Sequence, residues 1–79
     1  SFVKQYSKLD SHKQLLVDRA IRVFTDNPHS PQLKNHPLKG ELAGKRAISA
    51  AFDLRIVFMA HDDYVLVEML AVGSHNQVY

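Results

Sequence analysis

Leu54-Arg55-Ile56-Val57-Phe58-Met59-Ala60, then His61-Asp62-Asp63, then Tyr64-Val65-Leu66-Val67-Glu68-Met69-Leu70-Ala71-Val72: this stretch decides the fold. Two runs rich in apolar and β-branched side chains flank a short polar turn, the pattern of an antiparallel hairpin. Side chains alternate between faces along a strand. Leu54, Ile56, Phe58 and Ala60 therefore share one face, and Arg55, Val57 and Met59 share the other. The all-apolar face needs cover. The other is left open with a guanidinium on it, and Arg within a strand is costly unless it lies on an open face or has a partner.

Upstream, Arg46 to Ala51 alternates weakly and adds a third strand. Asp10 or Ser11 is placed as a helix N-cap. The run behind it carries Leu15, Leu16, Ala20, Ile21 and Phe24 at helical spacing, widened by Val17 and Val23. His12, Lys13, Asp18, Arg19 and Arg22 occupy much of the rest, so the spacing predicts an amphipathic helix of about four turns. Asp18 and Arg22 stand at i,i+4, a supporting charge pair. Asn27-Pro28 stops the helix. Ser30-Pro31-Gln32-Leu33 reads as a cap followed by Pro at the first position of a very short helix. Pro37, Gly40 and Gly44 make the remainder, up to Lys45, a turn. Phe2-Val3-Lys4-Gln5-Tyr6 reads as a strand or the end of one. The order is strand, helix, short helix and three strands. That predicts an α+β fold, with an N-terminal helix packed on one face of a small antiparallel β-sheet.

The 79 residues make one small domain, and 46% hydrophobic content is ordinary for a globular chain. No apolar run approaches the ~18 residues of a membrane span, and no secretory segment opens the chain, so no membrane partner is expected. Cysteine is absent. That excludes disulfide and thiolate chemistry and fits a cytoplasmic protein. The histidines lack metal-ligand spacing, so neither a metal nor another cofactor is expected. The net charge of +2 is unevenly placed: residues 1–60 hold all ten Lys and Arg against five acids, while residues 61–79 hold three acids and no Lys or Arg. The basic part suits a polyanion or an acidic partner; a solvated, mildly basic surface is the plainer alternative.

Three segments together resemble a known family. His36-Pro-Leu-Lys-Gly-x-Leu-x-Gly, Asp53-Leu-Arg-Ile-Val-Phe and Val72-Gly-Ser-His75-x-x-Val-Tyr79 are similar in order and spacing to the RelE/ParE superfamily of bacterial toxins, closest to its RelE and YafQ-like mRNA interferase branch. Ser1-Phe-Val-Lys-Gln-Tyr-Ser-Lys-Leu9 resembles the family's opening strand running into its first helix, and the family carries a few more residues ahead of it. The resemblance implies a RelE-like fold with helices on one face of a curved sheet. It implies the toxin of a type II toxin–antitoxin system, a metal-independent endoribonuclease that cuts mRNA in the ribosomal A site and so inhibits translation. Attack of the 2′-OH on the adjacent phosphate leaves a 2′,3′-cyclic phosphate.

Such chemistry needs a group to take the 2′-OH proton, a cation to stabilise the phosphorane, and a group to protonate the leaving 5′-oxygen. By resemblance, Arg55 is the cation and His75 the best general acid or base, since imidazole titrates near neutral pH. His36 is a second acid/base candidate, Asp53 orients or accepts, and Tyr79 stacks on a base or bonds a phosphate. Lys39, Lys45 and Arg46 are candidate RNA contacts. From the residues alone, Arg55 can instead form an ion pair with Asp53 or Glu68. His75 can be a surface loop histidine and Tyr79 an aromatic packed on the sheet edge. The family pattern places basic residues where this chain has Ala47 and Ser49, a departure that thins the set.

The implied partners are a cognate antitoxin, acidic or amphipathic, together with the ribosome and mRNA. Operator DNA is contacted only in company with the antitoxin. Two rivals are a ParE-like gyrase inhibitor, against which the Gly-Ser-His75 context counts, and a non-catalytic member that binds ribosome or antitoxin.

Overall fold

A computed structural model describes residues 1–79. Two helices, α1 (Phe2–Ser7) and α2 (Ser11–Asp26), precede a four-stranded sheet of β1 (His36–Pro37), β2 (Arg46–Ala51), β3 (Leu54–His61) and β4 (Leu66–Gly73); a last helix, α3 (His75–Val78), closes the chain. Sheet order is β1-β2-β3-β4, every pair antiparallel, so the three strands expected from the sequence form a meander. No helix is long and apolar enough to cross a membrane.

The alternation along β3 settles which face is covered. Leu54, Ile56 and Phe58 are buried in one cluster with Val17, Ala20 and Phe24 of α2, Ile48 of β2 and Val72 of β4. Phe58 is wholly buried and meets Phe24 edge to face, with ring centroids 4.9 Å apart. Leu33, from the 3-10 turn Pro31–Leu33, completes the cluster, as the Pro-led short helix expected there requires. Of the two N-cap candidates, Asp10 fills the role: its carboxylate accepts from the Lys13 N–H at 2.8 Å.

Several expectations are corrected. Phe2–Tyr6 is helical, not a strand. Ser1 caps it, Phe2 and Tyr6 stack one turn apart, and both pack with Leu9 against the core. Over five residues, helical and strand spacing of apolar groups cannot be told apart. Leu15 belongs to no core face; it is 53% exposed, because it lies about 200° of helical arc from Val17. The Asp18–Arg22 pair does not form. Asp18 instead accepts a 2.6 Å hydrogen bond from the Tyr6 hydroxyl, which ties α1 to α2. His36–Pro37, read as turn, pairs with Arg46 and Ala47 as a short edge strand. The β3–β4 turn runs past Asp63. Asp62, Asp63 and Tyr64 all take positive φ, and Tyr64 is held there by a 3.0 Å hydrogen bond from Asn35 and by packing on Phe24 and Phe58. Finally, residues 75–78 form a helix rather than a terminal loop.

Two outcomes are expected. Asp10→Ala lowers urea stability by about 1 kcal/mol, the usual value of an N-cap, while Ser11→Ala changes little. The hydrogen bond to Asp18, with desolvation and the carboxylate's charge behind it, raises the Tyr6 phenol above its ordinary value of 10.0. A group raised on folding stabilises fully below its unfolded pKa and loses that contribution as pH climbs through the folded value. The urea midpoint of the wild type therefore falls more steeply above pH ~10 than that of Tyr6→Phe.

Candidate active site

With α2 on one face, the opposite face of the sheet carries the odd-numbered residues of β3. Register places Ser49, Arg55 and Gly73 side by side in one row, and His36, Ala47, Val57 and Ala71 in the next. Ala47 and Val57 are buried on this face and form its floor, outside the helix-side cluster.

Arg55 is half-buried at the centre. Its Nη1 donates long hydrogen bonds to the Ser49 hydroxyl (3.4 Å) and the Ala51 carbonyl (3.3 Å). Neither Asp53 nor Glu68 pairs with it. The only ion pair in the molecule is His61–Glu68 at 2.7 Å, so the structural ion-pair alternative for Arg55 is removed. A partly desolvated guanidinium with only neutral acceptors is poised for an anion. Ser49 lies beside it in the same row, so this row holds one cation.

The chain leaves β4 at Gly73, opposite Arg55, and turns directly into α3. His75 is its first residue and Tyr79 follows its last, one turn on; the two rings meet edge to face at 4.4 Å. Both are exposed. Asp53 holds this element. It sits at φ +54 in the β2–β3 turn, and its carboxylate accepts from the His75 backbone N–H at 3.0 Å. The role the structure gives Asp53 is therefore to position the helix that carries His75. At the other end of the cap, the Gln77 amide oxygen accepts from the Ser74 N–H at 2.8 Å. A Cβ on Gly73 would lie 2.6 Å from that oxygen, so only glycine fits while the cap is made. Neither α3 nor its two ties has a periodicity long enough to read from sequence; the Ser74-x-x-Gln77 capping box was the available signal.

His36 flanks the site. By register it stands two strands and one row from Arg55, about 12 Å between Cα positions. Its Nδ1 lies 2.8 Å from the Lys34 carbonyl. A carbonyl only accepts, so Nδ1 carries the proton and Nε2 of the neutral ring is the free acceptor. Lys45 continues the same face two residues before Ala47, and Lys39 is exposed in the β1–β2 connection. Arg46 is not with them. It lies on the helix side of the sheet, where Nε donates to Asn35 Oδ1 at 2.8 Å and Asn35 in turn reaches Tyr64, so its hydrogen bonds hold the β3–β4 turn. No group of three His, Asp or Glu side chains is placed to hold a metal ion.

No protein-family model matches the sequence, and no curated protein matches it. Solved structures do. YafQ from Escherichia coli BL21(DE3) superposes with a TM-score of 0.82 at 17% identity, over 99% of this chain and 89% of that one. A YoeB/ParE toxin from Agrobacterium tumefaciens gives 0.73 at 20% identity, over 94% and 90%. A copper-bound mutant toxin from Helicobacter pylori gives 0.69 at 26% identity, over 100% and 91%. YafQ in the E. coli DinJ–YafQ complex also matches, at 0.69 and 19% identity, over 99% and 89%. The α+β fold expected from the resemblance is the fold found.

Asp53→Ala removes the acceptor for the His75 N–H. Amide hydrogen exchange of residues 75–79 is expected to lose protection while β2 and β3 keep theirs.

Proposed function

We propose that this chain, which has the fold of the RelE/ParE toxin superfamily, is the toxin of a type II toxin–antitoxin pair and a metal-independent, ribosome-dependent endoribonuclease acting on mRNA. The observation that carries this reading is Arg55, half-buried on the open sheet face without a carboxylate partner, in the row where the chain turns into the helix bearing His75 and Tyr79.

In this reading the scissile phosphate lies over the Ser49–Arg55–Gly73 row. The 2′-oxygen attacks the adjacent phosphorus and its proton passes to a base. Charge gathers on the non-bridging oxygens, where the Arg55 guanidinium lowers its energy. The bond to the 5′-oxygen breaks, that oxygen takes a proton from an acid, and a 2′,3′-cyclic phosphate and a 5′-hydroxyl result. His75 beside the row serves as one proton-transfer group. His36, with Nε2 free to accept, suits the other if the RNA bridges the two rows. Tyr79 offers a ring on which a base stacks. Lys39 and Lys45 take the backbone along the β1–β2 edge, and Arg46 can contribute only charge from the far side. The ribosome orders the RNA, which a site with a single central cation needs.

An antitoxin that covers the open face would meet Arg55, Lys39 and Lys45, so acidic or amphipathic segments suit it. YafQ occurs in a complex with DinJ, which supports a protein partner of this kind here. Operator DNA would be bound by the pair rather than by this chain alone, and the cytoplasm is where ribosomes and mRNA meet it. Ala47 and Ser49 favour a second reading, a non-catalytic member that binds ribosome or antitoxin, because each of their two rows lacks the basic residue the family pattern has there.

Primer extension on mRNA in a purified translation system separates the readings. Cuts that need ribosomes are expected. His75→Ala should slow them by about 10²–10⁴-fold and Arg55→Ala by about 10²–10³-fold. Cleavage unchanged in His75→Ala moves the proton transfer to His36. No cleavage by folded wild type leaves the binding-only reading.

A further inference from the structure

His36, the second acid/base candidate, stands on a strand of two residues, and both are exposed. Burial of apolar surface therefore does not hold it in place. Pro37 restricts the backbone of the residue before it to extended conformations, which fixes the chain on one side of the ring. On the other side Lys34 takes the left-handed conformation, φ 52 and ψ 43, uncommon for a residue with a side chain. That turn brings the Lys34 carbonyl to 2.8 Å from His36 Nδ1.

Lys34 is bracketed by two anchored residues. Leu33 before it is buried in the core. Asn35 after it is half-buried, and its side chain makes three hydrogen bonds. Nδ2 donates to the Pro28 carbonyl and to the Tyr64 hydroxyl, each at 3.0 Å, and Oδ1 accepts from Arg46 Nε at 2.8 Å. A carbonyl only accepts and a guanidinium only donates, so the amide has one possible orientation and both its protons are used. The hub joins the loop after α2, strand β2 and the β3–β4 turn. Arg46 is also the register partner of Pro37, so the same hub reaches both ends of the segment that carries His36. With Leu33 and Asn35 both fixed, the left-handed conformation of Lys34 is held against its cost.

We propose that Asn35 is a positioning residue for His36. By holding Lys34 in its left-handed turn it keeps the Lys34 carbonyl on Nδ1, and so fixes the tautomer whose Nε2 lone pair is free to take a proton. Without the hub, Lys34 relaxes to an ordinary conformation and its carbonyl leaves the ring. The neutral imidazole then distributes its proton over both nitrogens. A part in proton transfer rests on the nuclease reading; the tautomer does not, and it is read without any cleavage.

The test is a long-range ¹H–¹⁵N correlation of the ¹⁵N-labelled protein at pH ~8.5, where imidazole is neutral. It reads which ring nitrogen is protonated in each of the five histidines. In the wild type His36 is expected as the Nδ1–H tautomer. Asn35→Ala should turn it into a mixture of both tautomers, while His75 keeps its wild-type signals. Exchange of the Leu38 N–H, which bonds to the Lys45 carbonyl at 2.9 Å along the same edge, should rise about tenfold. Tyr64→Phe keeps the ring that packs on Phe24 and Phe58 and loses one of the three bonds, so it should move the His36 signals the same way by less. In the cleavage assay Asn35→Ala should lower kcat by about 10–10²-fold. An Nε2–H tautomer in the wild type overturns the proposal whether or not the variant folds. A folded Asn35→Ala that keeps the Nδ1–H tautomer overturns it as well. If Asn35→Ala does not fold, unmoved His36 signals in Tyr64→Phe overturn the hub. A lost tautomer with undiminished cleavage overturns the part in proton transfer alone.

Discussion

One amphipathic helix can cover only one face of a four-stranded sheet, and the rest of the structure follows from which face it takes. Val17, Ala20 and Phe24 of α2 meet Leu54, Ile56 and Phe58 of β3, and burial of this apolar surface is the main stabilising term of the domain. A one-residue slip of β3 would bring Arg55 into that core and expose Phe58. The packing that stabilises the fold thereby sets the position of Arg55, on the uncovered face and in a fixed row.

Charge is distributed so that cations stay available. The ten Lys and Arg form no ion pair. Four of the eight acids are used elsewhere: Asp10 and Asp53 accept from backbone N–H groups, Asp18 holds a phenol, and Glu68 pairs with a histidine. A carboxylate that caps a helix organises the backbone without neutralising a nearby guanidinium by direct contact. Asp53 shows the economy of this arrangement. One residue with positive φ ends the β2–β3 hairpin and, through its side chain, fixes the start of α3 on the far side of β3. Within the same element Gln77 closes back on the Ser74 N–H, so the geometry at His75 depends on two hydrogen bonds and on the missing Cβ of Gly73.

The helix-side network around Asn35 shows the opposite use of an arginine. Arg46 and Arg55 both lie in strands, nine positions apart, and composition treats them alike. Odd and even positions separate them: Arg55 shares a face with Val57, whereas Arg46 pairs with Phe58 and turns toward Asn35 and Tyr64. The first is left without a carboxylate partner. The second holds a turn whose three positive-φ residues would otherwise be poorly restrained.

Legible in the sequence were the α2 helix with a cap at Asp10 or Ser11, the β3–β4 hairpin, the face of β3 that is buried and the openness of the face with Arg55. Each of these rests on a period of two or 3.6 carried over enough residues to be unambiguous, or on a cap within reach of its own helix. Tertiary structure alone decided the rest. Phe2–Tyr6 became helical because Ser1 caps it and its rings pack on neighbours distant in sequence. Leu15 was left in solvent by the narrow arc that the sheet covers. Asp53 met His75, and Arg46 met Asn35, because strand register closed gaps of 22 and 11 residues. Such meetings follow from which backbone groups lie opposite one another after folding, and no local pattern of residue types encodes that.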